Sequence, residues 1–233
     1  MSVPRDDLAG LAAAEARLLD DLADLSDTEA AAPSLLPGWT VGHVVTHLTR
    51  NADGFIRMAM AATRGEVAHQ YPGGADQRAA DIEAGATRPA AEMVEDLRRS
   101  IEDLTSAFAR LGPEAWSDGV GMAMSGPRPV VELPFRRWRE VEMHHVDLGR
   151  SSFRVGDWSE AYVERELAET LAALPSRLPE GVALRIDFED APDVVTVGDG
   201  EVVVVSGSRR WVLGWLSGRL EPPSELPPLE PWL

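Results

Sequence analysis

The sequence predicts an α+β protein in two parts, a four-helix bundle over residues 1–152 and a small α+β domain over residues 153–233. Four long stretches before residue 150 repeat apolar residues every three or four positions, the period of a helix with one buried face. Glycine- and proline-rich links separate them, which is the pattern of a helix bundle. After Arg150 the character changes, and β-branched runs at period two mark strands.

The first helix spans residues 5–25, where Leu8, Leu11, Ala14, Leu18, Leu22 and Leu25 keep helical spacing. The stretch "AAPSLLPG" breaks it. A second helix opens at "WTVGHVVTHLTRNADGF", with Thr40 as its N-cap and Gly65 as its stop. "EVAHQYPGGADQ" reads as a polar loop and "RAADIEAGA" as a short helix. The third long helix lies in "RPAAEMVEDLRRSIEDLTSAFARLG", with Pro89 near its start and Gly112 just past its end. "PEAWSDGVGMAMSGPRPV" reads as a long connection. The fourth helix runs from about Val130 to Leu148 and stops at Gly149; Pro134 sits in its first turns, where it does least damage. Beyond Arg150, "DWSEAYVERELAETLAALPSRL" is a helix. "GVALRIDFED", "DVVTVG" and "EVVVVSG" are strands, the last two joined by "GDG" as a hairpin. "SRRWVLGWLSGRL" is a short helix, and the proline-rich tail is expected on the surface.

Composition removes several functions. The net charge is −17, from 39 acidic and 22 basic residues, so a phosphate backbone is repelled and nucleic-acid binding is not expected. No run of eighteen or more apolar residues suggests a membrane span. The acidic N-terminus does not resemble a signal peptide, and a cytoplasmic protein is expected. The chain has no cysteine. Thiolate metal ligands, disulfides and a cysteine nucleophile are therefore excluded, and any thiol chemistry needs a thiol cosubstrate. No signature sets an oligomeric state.

The chemistry concentrates in "RWREVEMHHVDLGR", residues 137–150. On a helix turning about 100° per residue, Leu133, His144, Leu148 and Val141 fall at about 20°, 40°, 80° and 100° from Glu140. Glu140 and His144 thus share the inward face. Glu142, at about 200°, is expected to face solvent. A carboxylate turned into a bundle must be paired or metal-bound, because burying it alone is very costly. The i, i+4 spacing lets Glu140 and His144 reach one ion. On the second helix, His47 borders the apolar stripe, with Asn51 and His43 about 40° to either side. Two histidines and one carboxylate from two helices leave coordination positions open, as catalytic sites do. Lacking sulfur, the set suits a divalent cation of N/O preference, with zinc the default. His43, Asn51 and Asp147 are the candidate supporting partners, and His43 or Asp147 could be ligands instead. His145 reads as a supporting or surface group. Arg136, Arg137 and Arg139 read either as solvated or as steering an anionic substrate.

"LPGWTVGHVVTHLTRNADGF" together with "RWREVEMHHVDLG" resembles the mycothiol-dependent maleylpyruvate isomerase family, within the larger DinB-like metal-binding bundles. "RAADIEAGATRPAAEMVEDL" resembles it too, and "WVLGWLSGRL" is similar to its C-terminal, sterol-carrier-like domain. The resemblance covers nearly the whole chain. It implies metal ligands His47, Glu140 and His144. It also implies a catalytic arginine from the C-terminal domain, for which Arg219 is the candidate and Arg209 and Arg210 the alternatives. It further implies mycothiol as cosubstrate and a cis–trans isomerisation of maleylpyruvate to fumarylpyruvate by thiolate addition and elimination. A transferase that conjugates the thiol to another electrophile is the alternative, and a non-catalytic binding or regulatory member is a third reading. The alanine- and arginine-rich, lysine-free composition fits an actinobacterial source, where mycothiol occurs.

Overall fold

The structure, a computed structural model, describes residues 3–223 and 226–230. It divides into two compact units, Met1–Ser152 and Phe153–Leu233, each with its own core, and the overall class is α+β. Among the described residues no helix is long and apolar enough to cross a membrane.

In the first unit, the long helices are α1 (Arg5–Asp21), α3 (Val41–Ala62), α5 (Ala90–Ala109) and α7 (Leu133–Asp147). A single-turn α2 (Asp27–Ala30) and α4 (Gly74–Gly85) lie in the links before α3 and α5. The expected long connection over 113–130 is more ordered than the sequence suggests. It holds α6 (Pro113–Asp118) and an antiparallel pair, β1 (Val120–Ala123) and β2 (Gly126–Pro129). Its strands are four residues each, and three of the four in β2 are glycine or proline, so no period-two pattern could announce them. One 3-10 turn, Val130–Glu132, leads into α7.

α3 is the central element and packs on α4, α5 and α7. Val44, Val45, Leu48, Ala52 and Met58 on it are completely buried, as are Leu97 on α5 and Val141 on α7. Its start is fixed locally. The Thr40 hydroxyl accepts from the His43 N–H, and the His43 ring returns the bond by accepting from the Thr40 N–H. This reciprocal cap satisfies two donors that would otherwise be orphaned.

α7 differs from the sequence expectation in one important way. A single inward face was expected, with Glu142 outside it. The helix instead packs on α3 with one side and on α1 with the other, so Glu142 is fully buried. Arg17 of α1 donates to Glu142 Oε1 at 2.6 Å, and the Trp138 indole donates to the same oxygen at 3.0 Å. Burial still raises the pKa of Glu142, against the charge of Arg17. One turn earlier, Arg137 is also fully buried. It donates to Glu15 on α1 at 3.2 Å, and on α3 to the Leu48 carbonyl at 2.8 Å and the Asn51 amide oxygen at 2.9 Å. One guanidinium thus joins α1, α3 and α7. The steering role open to Arg137 in the sequence is therefore replaced by a structural one.

In the second unit, α8 (Glu160–Ala173) and α9 (Arg209–Leu216) pack together, and β3 (Val182–Phe188), β4 (Val194–Gly198) and β5 (Glu201–Gly207) form a sheet. The sheet order is β4-β3-β5. The expected β4–β5 hairpin at "GDG" is therefore wrong. β3 lies between the two strands, antiparallel to β4 and parallel to β5. The link Gly198–Asp199–Gly200 crosses the start of β3 instead. Gly198 and Gly200 have φ of +91° and +130°, and Gly200 lies so close to the Gly181 carbonyl that no side chain fits there. At the tail, Glu230 exchanges hydrogen bonds with Arg177, at 2.9 and 3.0 Å. The rest of the surface placement expected for the tail, at 224–225 and 231–233, lies outside the described residues.

Arg137→Met should lower unfolding stability by about 3–5 kcal/mol, because it leaves Glu15 buried without its partner. Adding Glu15→Leu to Arg137→Met should recover part of the loss. Urea denaturation of the single and double variants checks both steps.

Candidate metal centre

The first turns of α3 and the second half of α7 bring His47, Glu140 and His144 together. One ligand atom from each lies within 4.8 Å of the other two. His47 Nε2 is 3.0 Å from Glu140 Oε2 and 3.1 Å from His144 Nε2, while His144 Nε2 is 3.5 Å from Glu140 Oε2. The two imidazoles meet edge to face, perpendicular, with centroids 4.6 Å apart. His47 is buried; Glu140 and His144 are partly open.

The surroundings fix which nitrogen carries which proton. His144 Nδ1 faces the buried Asp147 carboxylate at 2.8 Å. In the neutral ring the proton sits there, and the Nε2 lone pair points at the cluster. A carboxylate behind a histidine in this way orients the ring and raises its basicity toward a metal. On the other side, Arg78 Nη2 lies 3.1 Å from His47 Nδ1. Arginine has only donors, so in this arrangement Nδ1 accepts and the ring proton sits on Nε2, aimed at Glu140 and His144. That one proton serves two facing acceptors. A divalent cation would answer the same crowding of lone pairs with three bonds, and two imidazoles with a carboxylate suit zinc or a similar ion. The residues present therefore fit a metal.

The electrostatics follow from burial and neighbours. Burial pushes His47 down to about 4, against the pull of the adjacent Glu140 carboxylate. Burial opposes ionisation of Glu140, but hydrogen bonds from His144 and His47 outweigh it and hold the carboxyl well below its usual range. Burial also disfavours charge on His144, and the Asp147 and Glu140 carboxylates more than offset it, so its pKa is raised.

The other candidates each have partners within their own unit. His43 completes the Thr40 cap and places its Nε2 3.1 Å from Glu83. It makes no hydrogen bond to the three converging residues, because the cap holds its ring at the helix start. Asn51, one turn after His47, is buried and accepts from Arg137. His145 turns toward α1, 3.1 Å from Asp21. In the second unit, Arg219 donates to the Ser217 carbonyl at 2.7 Å. Arg209 pairs with Glu160 at 3.0 Å, and Arg210 donates to the Trp158 carbonyl at 2.8 Å.

Three residues near His47 escaped the sequence reading: Trp39, Tyr71 and Arg78. The Trp39 ring centroid is 5.6 Å from that of His47. The Arg78 guanidinium lies over both Trp39 and Tyr71, 6.0 and 5.8 Å from their centroids. Burial, and then the Glu140 charge, raise the pKa of the Tyr71 hydroxyl. The loop carrying Tyr71 is pinned from behind. Gln70 N–H donates to the Met122 carbonyl at 2.8 Å, Met122 N–H donates to the Ala68 carbonyl at 2.9 Å, and Arg57 of α3 donates to the Gln70 carbonyl. Gly54 lets Gln70 lie directly against α3, where any side chain would collide with it. No local pattern could signal this arrangement, since it depends on β1 docking beside the loop.

Comparison with known proteins finds a family model and similar crystal structures. Residues 11–149 match the family model described as the mycothiol maleylpyruvate isomerase N-terminal domain. The whole chain superposes on the whole of a crystal structure of the mycothiol-dependent maleylpyruvate isomerase, with a TM-score of 0.88 and 25% identity. A variant of that enzyme with one histidine replaced by alanine matches with a TM-score of 0.87, also at 25% identity and full coverage of both chains. No curated protein matches the chain.

Loading metal-free protein with Zn2+ at pH 6.5 should release a proton from His144 Nε2, because its raised pKa keeps that nitrogen protonated there. The release should shrink as pH rises, and Zn2+ affinity should fall as pH drops through the raised value. Titration calorimetry in buffers of different ionisation enthalpy measures both. Asp147→Asn should weaken Zn2+ binding by about 10–100-fold, read by competition with a chromophoric chelator.

Proposed function

This chain belongs to the mycothiol maleylpyruvate isomerase N-terminal domain family, and we propose from that premise that it is a metal-dependent enzyme converting maleylpyruvate to fumarylpyruvate with mycothiol as cosubstrate. The observation that carries the reading is the convergence of His47 Nε2, Glu140 Oε2 and His144 Nε2. It lies in the part of the chain that matches the family. The structural relative is itself a mycothiol-dependent maleylpyruvate isomerase.

His47, Glu140 and His144 would hold the cation, with zinc the first choice for this donor set. A bound divalent cation lowers the pKa of a thiol, so that a thiolate is present at neutral pH. With no cysteine in the chain, the sulfur nucleophile comes from the cosubstrate. Its lone pair forms a C–S bond to one carbon of the cis double bond, and the π electrons move onto the conjugated carbonyl as an enolate. The former double bond is now single and rotates. The enolate electrons then re-form the double bond in the trans geometry and expel the thiolate. Substrate and product are isomers, and the thiol is returned.

The chain's own groups have defined tasks in this scheme. Asp147 holds the proton of His144 Nδ1 and so keeps its Nε2 lone pair turned to the centre. Glu140 supplies negative charge in the neutral range because its carboxyl titrates well below it. Tyr71, with its pKa raised, keeps its hydroxyl proton at neutral pH and can donate it in a hydrogen bond. Arg219 is the proposed catalytic residue of the second unit, on the family resemblance.

Metal-loaded protein incubated with mycothiol and maleylpyruvate should yield fumarylpyruvate with no net loss of thiol, followed by mass spectrometry and proton NMR. A stable thioether would identify a thiol transferase instead, and no turnover of either kind would overturn the enzyme reading. Arg219→Ala should lower kcat/KM by about 10²–10³-fold, the cost of losing one group that stabilises developing charge, while metal content stays unchanged by elemental analysis.

A further inference from the structure

Arg78 is unlike the chain's other arginines near the bundle core. Arg50 and Arg88 share Asp96, Arg17 holds Glu142, and Arg137 holds Glu15. Arg78 is half-buried, yet among the described residues no carboxylate lies within ion-pair distance of it. It donates to His47 Nδ1, and its Cζ lies 6.0 and 5.8 Å from the ring centroids of Trp39 and Tyr71. Two aromatic rings flank the guanidinium, within reach of cation–π attraction, and Tyr71 also takes a hydrogen bond from it through its hydroxyl. A guanidinium has five N–H donors, so these contacts leave others for a ligand.

The contact to His47 is also the wrong one for a metal ligand. A neutral His47 that gives its Nε2 lone pair to a cation carries its proton on Nδ1. That N–H and the guanidinium of Arg78 are then both donors, and neither satisfies the other. With the metal bound, Arg78 needs an acceptor from elsewhere. The planar fork of arginine matches a carboxylate, to which it can donate two parallel hydrogen bonds. In a chain of net charge −17, an anion approaching the centre needs such a cation, because Glu140 and Asp147 repel it.

We propose that Arg78, held by Trp39 and Tyr71, binds a carboxylate of the electrophilic substrate beside the metal centre and is the residue that selects an anionic electrophile. The inference rests on the function proposed above and names the chemistry of its substrate pocket. It also makes metal and carboxylate binding cooperative, since the same cation that engages His47 frees the donors of Arg78.

The test uses Zn2+-loaded full-length protein and maleate, a cis dicarboxylate, without thiol. Calorimetry reads the maleate Kd, elemental analysis reads zinc, and circular dichroism reads folding for wild type, Arg78→Gln and Arg78→Lys. Arg78→Gln should keep its zinc and raise the maleate Kd at least tenfold, with Arg78→Lys in between. Where maleylpyruvate is turned over, the loss should appear mainly in KM. An Arg78→Gln protein that is folded and zinc-loaded and binds maleate like wild type overturns the proposal. A wild type that binds no maleate overturns it as well. Loss of zinc in Arg78→Gln with unchanged maleate binding would make Arg78 a support for His47 and also overturn it. Failure of the isomerase reading is separate. It appears as a wild type that binds maleate through Arg78 but does not isomerise maleylpyruvate.

Discussion

Three potential ligand atoms aimed at one point are the constraint on which the first unit depends. His47 and His144 nitrogens and a Glu140 oxygen sit within 4.8 Å of each other, and such groups repel or must share positive charge. Everything around them limits how they can respond. Asp147 fixes one imidazole and Arg78 faces the other. The distance between α3 and α7 is set by Arg137, whose guanidinium spans both helices and α1 from a fully buried position. A buried charge that is fully bonded is rigid, because any displacement leaves an unpaired group at high cost. The bundle thus uses one polar network to hold the backbone and a second, one turn along, to hold the reactive side chains.

Much of this could be read from the sequence, for a clear physical reason. The spacing Glu140-x-x-x-His144 and the placement of His47 on an apolar stripe are properties of single helices, and helical geometry translates them directly into shared faces. The same arithmetic failed for Glu142, because it assumed that α7 has one buried side. α1 covers the opposite side, and Arg17 lies far away in sequence. The cap of α3 explains His43 in the same local terms, as the partner of Thr40.

What could not be read were arrangements made by approach of distant segments. Tyr71 and Arg78 reach His47 only because a polar loop and a short helix fold back over α3. The β4–β5 link misled for a related reason. A glycine–aspartate–glycine triplet marks a tight turn, but whether that turn closes a hairpin or crosses a neighbouring strand is decided by β3, which takes the place between β4 and β5.

The pinning of the Tyr71 loop has a bearing on how such proteins diversify. Residues 68–70 and Met122 exchange backbone hydrogen bonds, so the short β1–β2 ribbon and the loop beside the His47–Glu140–His144 cluster form a single piece, although about fifty residues separate them in the chain. Backbone pairing is indifferent to side-chain identity. The tip of the ribbon at Met124 and Ser125 is therefore free to vary in length and composition, while residues 66–73 and 120–129 behave as one cassette. Transplanting that cassette whole between relatives is a route to a new rim on an unchanged centre. Exchanging either half alone would break the register that holds Tyr71 in place.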